Sequence, residues 1–159
     1  MGNVYAEITL KNGADLVRAR DGSIKEQDVR SLKVTALVDT GATTLIMGEN
    51  LCRELGLAVI GTRAAFLAGG AEVFCKVTEP VQICWKDRTS TISAWVLPGD
   101  EEVLLGVIPL EEMDLIVNPV SRELAGAHGD KIMGRIKSAN AHSVTFAYLR
   151  IEKVKPHQL

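Results

Sequence analysis

The chain has 159 residues, and its 18 Lys and Arg against 20 Asp and Glu give a formal net charge of −2. That length supports one domain with a real core, and 47% hydrophobic residues with only 4% aromatics assign the core to Val, Ile, Leu and Ala. The charge balance supplies no basic field for nucleic acid or anionic lipid, and no apolar stretch is long enough to span a membrane. The N-terminus shows no basic head followed by an apolar run, so the expectation is a cytoplasmic protein without a signal peptide. The three cysteines, Cys52, Cys75 and Cys84, have no metal-like spacing and read as core thiols of a reducing compartment. No metal site and no cofactor is expected.

The predicted elements follow in chain order. Val4, Ala6, Ile8 and Leu10 alternate with polar neighbours and read as a half-buried strand. Asn12-Gly13 suggests a hairpin turn and Asp21-Gly22 another. Leu32, Val34, Ala36 and Val38 alternate again, in a strand running straight into Asp39-Thr40-Gly41. After Leu45-Ile46 a short helix is expected, capped by Gly48, with Leu51 and Leu55 on one face and Gly56 ending it in the left-handed conformation. Val59–Leu67 and Glu72–Val77 flank Ala68-Gly69-Gly70-Ala71 and predict a hairpin with a glycine tip. Pro80 separates that hairpin from a strand Val81–Trp85, and Lys86-Asp87 turns into Ser90–Leu97. Pro98–Glu102 is an acidic loop. Leu104-Leu105-Gly106 precedes a short helix opened by Pro109, then a strand Leu115–Val117. Farther on, a short helix is predicted over Asp130–Ile136 and a strand over Val144–Leu149. Lys153–Leu159 reads as a frayed tail. Many short strands with turns between them indicate a mainly-β, barrel-like domain.

One motif carries chemistry. In Leu37-Val38-Asp39-Thr40-Gly41-Ala42-Thr43 an apolar strand delivers a carboxylate into a glycine turn. An Asp before a Gly is also an ordinary turn starter, so the motif gains weight from its context. Leu104-Leu105-Gly106 and its helix follow at a distance, and Gly69-Gly70 lies between.

These three marks, in this order, resemble the retropepsin-like aspartic peptidases. The resemblance covers about residues 30–119, and it implies a pepsin-like closed β-barrel with one lobe per chain. Pepsin-like enzymes carry two Asp-Thr-Gly motifs in one chain. A single copy implies a C2 homodimer, with Asp39 of each subunit forming the catalytic dyad. By the same resemblance Thr40, Gly41, Leu104, Leu105 and Gly106 support the active-site loop. Gly41, Ala42 and Thr43, with Leu67, Ala68, Gly69, Gly70 and Ala71 of a mobile flap, would bind an extended peptide. The expected activity is endopeptidase hydrolysis of a peptide or protein substrate at acidic to mildly acidic pH. A non-catalytic dimerisation or peptide-binding module on the same fold is the alternative.

The viral enzymes commonly pair an acid two places after the motif glycine with an Arg right after the second glycine. Here Thr43 and Val107 stand at those places, so the chain resembles a cellular or bacterial relative. Residues 1–120 are expected to form the peptidase domain and 121–159 a C-terminal extension. Tyr5–Leu10 and Val144–Leu149 are candidates for interleaving between subunits. His128, His142 and His157 are scattered and suggest no metal or general-base role.

Overall fold

The computed structural model of the chain describes residues 2–99, 102–137 and 146–150. Strand β1 (Tyr5–Asn12) buries Ala6, Ile8 and Leu10, as its alternation predicts. It does not turn back at Asn12-Gly13. Asn12 instead caps helix α1 (Gly13–Arg20), its Oδ1 accepting from Asp15 N at 3.0 Å. The expected hairpin is therefore a helix. Asn is as good an N-cap as a turn residue, and Asp15 in the first turn with Arg18 and Arg20 in the last matches the helix dipole.

Strand β2 (Ser31–Val38) pairs antiparallel with β1 from Tyr5↔Leu37 to Lys11↔Ser31. Leu45–Gly48 forms a short strand, β3, before helix α2 (Glu49–Glu54), and Gly56 ends α2 at φ +62°. Strand β4 (Val59–Phe66) and the long β5 (Glu72–Trp85) make the predicted glycine-tipped hairpin, with Gly70 at φ +82°.

Pro80 does not interrupt β5, contrary to the sequence expectation. The strand passes it with a bulge, so that Thr78 and Glu79 face the single residue Ala94 of β6 (Arg88–Leu97). Thr78 Oγ1 accepts from Ala94 N at 3.0 Å, which satisfies the backbone group the bulge would orphan. A buried threonine before the proline is thus what lets the strand continue.

Strand β7 (Leu104–Leu105) leads into helix α3 (Val107–Glu112) and strand β8 (Leu115–Asn118). The seven strands β1 to β7 make one sheet in the order β1-β2-β7-β3-β6-β5-β4. The end of β5 also pairs with β1, from Thr9↔Cys84 to Asn12↔Val81. The core lies inside this sheet, where Ile8, Leu10, Leu45, Ile83 and Leu105 are fully buried. The architecture is mainly β and consistent with a pepsin-like fold.

Beyond β8, strand β9 (Glu123–Gly126) pairs back on β8, and Leu124 reaches the core. The helix expected over Asp130–Ile136 is a strand, β10 (Met133–Lys137), paired with β11 (Phe146–Arg150). Gly134 inside that stretch weakens a helix, and the β-sheet partner lies too far along the chain to be read locally. Val144, His142, His157 and the tail 153–159 lie outside the described residues.

A buried arginine fastens the β8–β9 region to the sheet. Arg88, at the start of β6, donates from Nη1 to the carbonyls of Met113 and Asp114, each at 2.8 Å. Its Nη2 donates to Gly129 O and Lys131 O. A Cβ on Gly126 would overlap the guanidinium, so only glycine fits there. Asp114, at φ +53°, faces Arg88, accepts from Met133 N, and has His128 Nδ1 2.9 Å from Oδ2.

Candidate active site

Asp39 stands where β2 stops. Its backbone N donates to Leu105 O at 3.0 Å, continuing the parallel pairing Leu37↔Leu104 and Val38↔Leu105. The loop after it closes on itself: Asp39 Oδ1 accepts from Gly41 N at 2.8 Å, and Asp39 O accepts from Ala42 N at 3.1 Å. Oδ2 takes no hydrogen bond from the described residues. Asp39 is half-buried and Thr40, Gly41 and Thr43 are exposed, so the loop presents its carboxylate and hydroxyls outward.

The second mark holds this loop from behind. Leu105 pairs with Val38 on one side and Leu45 on the other. Val107 N donates to Ala42 O at 2.9 Å and Ile108 N to Thr43 O at 3.1 Å. A Cβ on Gly106 would overlap the carbonyl oxygens of Thr44 and Ala42. Gly106 is therefore required for the two segments to touch. Thr44 Oγ1 donates to Ser93 O at 3.2 Å and ties the end of the loop to β6. Of the residues singled out from sequence, the fold thus brings together Asp39 to Thr43 with Leu104, Leu105 and Gly106.

The flap residues Leu67, Ala68, Gly69, Gly70 and Ala71 form the tip of the β4–β5 hairpin and are all exposed. Phe66 and Phe74, two of the chain's three phenylalanines, are 79% and 70% exposed on that hairpin. The tip lines no part of the cleft beside Asp39.

That cleft has a volume of about 530 Å³ and is bounded by Asp39, Thr40, Val4, Val117 and Arg122 among others. Arg122 also lines this cleft, and the sequence reading did not single it out. It lies far from the motif in sequence, and only the β8–β9 hairpin brings it there. The three cysteines are free, and burial pushes each thiol's pKa up. Among the described residues no group of His, Cys, Asp and Glu could hold a metal ion, and no helix is long and apolar enough to cross a membrane.

A family model described as "gag-polyprotein putative aspartyl protease" matches residues 23–112. The chain belongs to this family. The matched stretch contains the Asp39 loop, the β4–β5 hairpin and Leu104-Leu105-Gly106, while β1, α1 and everything from Met113 onward lie outside it. Membership supports a protease role for the chain. No curated protein matches it.

Proposed function

We propose that the chain is an aspartic endopeptidase whose active unit is a homodimer, with Asp39 of each subunit forming one carboxylate dyad. The observation that carries this reading is the interlock of the two marks. β2 and β7 run parallel into the Asp39 loop, and Gly106 seats that loop's backbone so closely that a methyl group would not fit. Such support fixes a carboxylate while leaving Oδ2 without a donor among the described residues. A half-exposed carboxylate in a monomer has only half the groups the reaction needs.

Paired, the two carboxylates share one proton, because two like charges at short range do not both ionise cheaply. The ionised member takes a proton from a water. That water's oxygen attacks the scissile carbonyl carbon while the protonated member gives its proton to the carbonyl oxygen. The tetrahedral adduct then expels the amine, which leaves with a proton, and no covalent enzyme intermediate forms. Thr40, exposed beside Asp39, would bond to the partner's loop. Gly41, Ala42, Thr43 and the flap tip at Gly69-Gly70 would pair with the backbone of an extended peptide.

The reading is tested with Asp39→Asn. Asn keeps an oxygen to accept from Gly41 N, so the loop should hold. Peptide cleavage should fall about a thousandfold, the scale of losing a general acid–base group. Cleavage that survives in the purified variant would remove Asp39 from the mechanism.

A further inference from the structure

We propose that Trp95 and Arg63 are specificity-determining residues, which together admit a large apolar side chain of the bound peptide and turn away a basic one. This rests on the peptidase reading above. The sheet registers put both residues on the face that carries Asp39. Leu37 pairs with Leu104, Leu104 with Ile46, Ile46 with Trp95, and Trp95 with Val77, so these five side chains form one row across β2, β7, β3, β6 and β5. Their neighbours along the strands, Leu105, Met47 and Val96, point the other way into the core. Leu37 precedes Asp39 by two residues, and the same alternation sets the carboxylate on the row's side of the sheet. Three strand spacings, about 14 Å, separate β2 from β6, so a side chain within about four residues of the scissile bond reaches Trp95.

The five residues of the row are half-buried, and none belongs to the core. Arg63 closes the far end. It pairs with Cys75 of β5, and its guanidinium crosses to β6, where Cζ lies 5.5 Å from the centre of the Trp95 ring, within range of a cation–π contact. Cys75, in register beneath that crossing, is 2% exposed, whereas Phe74 beside it is 70% exposed on the other face. Gly61 pairs with Val77, and a Cβ added there would meet nothing within 4 Å, so the row is open at this end. A Leu or Phe laid along the row meets Ile46, Trp95 and Val77. A Lys in the same place leaves its ammonium beside the Arg63 cation, which repels it.

The test uses the full chain and decapeptides that share one apolar centre, with Ala, Leu, Phe or Lys walked through the flanking positions. Trp85→Phe leaves Trp95 as the single tryptophan, so emission from Asp39→Asn/Trp85→Phe reports binding at the row itself. Cleavage is read as kcat/KM on the unsubstituted enzyme. At one position Leu and Phe should exceed Ala about tenfold, the scale of partly burying a large apolar side chain, and Lys should fall below Ala. Arg63→Ala, a change at an exposed residue, should relax the rejection of Lys about fivefold, the scale of an exposed charge pair. Arg63→Lys should keep the rejection, Arg63→Glu should turn it into a preference, and raised salt should weaken both. Trp95→Leu should shrink the preference for Phe while circular dichroism stays unchanged. A peptide that is cleaved but leaves Trp95 emission unmoved, no apolar preference at any position, or a rejection of Lys that persists in Arg63→Ala would overturn the proposal. Peptides that move Trp95 emission with the expected preference, yet are never cut, would refute the peptidase reading and leave the assignment of Trp95 and Arg63 standing.

Discussion

At the scale of single residues, the site depends on groups whose surroundings leave little freedom. Gly106 is the clearest case. Gly106→Ala should lower stability by about 3 kcal/mol, the upper range for forcing a methyl into a packed site, because what it meets is backbone rather than a movable side chain. Chemical denaturation measures this, and a cost near zero would show that the two segments do not press together as described. Asp15 is a second. It is buried, and Arg30 donates to it from Nε at 2.7 Å and from Nη2 at 2.8 Å. These bonds hold its carboxyl below the usual carboxylate range. A group with a depressed folded-state pKa adds stability above its unfolded value, about 3.9 for Asp, and loses it as the pH falls through the folded value. Asp15→Asn should therefore be less stable than the unsubstituted chain at neutral pH, with the gap closing only in strong acid. Thermal unfolding across that range checks the sign. Asp39, Gly41 and Gly106 were legible in the sequence because their chemistry is local: an apolar strand, then a carboxylate or a glycine that cannot be replaced. Arg88 was not, since an arginine in a polar stretch reads as solvated surface until a distant segment folds over it, and Arg122 reaches the cleft only through the β8–β9 hairpin.

At the scale of elements, the decisive piece outside the site is the Arg88 anchor. Removing the guanidinium leaves the carbonyls of Met113, Asp114, Gly129 and Lys131 without their donor in a largely buried place. Arg88→Ala should cost about 3 kcal/mol, as for an unsatisfied buried polar cluster, and should raise amide exchange across β8 and β9 before the main sheet opens. Exchange that rises evenly over the whole chain would argue against a local anchor. The strands that approach Asp39 were readable from alternation and turn glycines. Helix α1 was not, because Asn12-Gly13 fits a turn and a helix start equally well. The decision comes from Asn12 Nδ2 donating to Leu55 O at 2.8 Å and Gly56 O at 3.1 Å, which only the folded chain supplies. The unbroken β5 was hidden likewise, since Thr78 compensates for the bulge at Pro80 only by bonding Ala94 of the neighbouring strand.

At the scale of the whole molecule, the sheet positions one Asp39 per chain, and the proposed chemistry needs two. The exposed Thr40, Gly41 and Thr43, and an Oδ2 with no donor among the described residues, fit the proposed half of a site that a second copy would complete. The resemblance implies such a pairing from a count of one motif, and local pattern does not say which faces would meet. The most direct measurement follows from that stoichiometry. Unsubstituted and Asp39→Asn chains are refolded together in known ratios and assayed on a peptide substrate. If each active site needs an intact Asp39 from both subunits, activity falls as the square of the unsubstituted fraction, to about a quarter at an equal mixture under random pairing. Activity that falls only in proportion to that fraction, or a preparation that cleaves nothing at any ratio, would contradict the shared dyad.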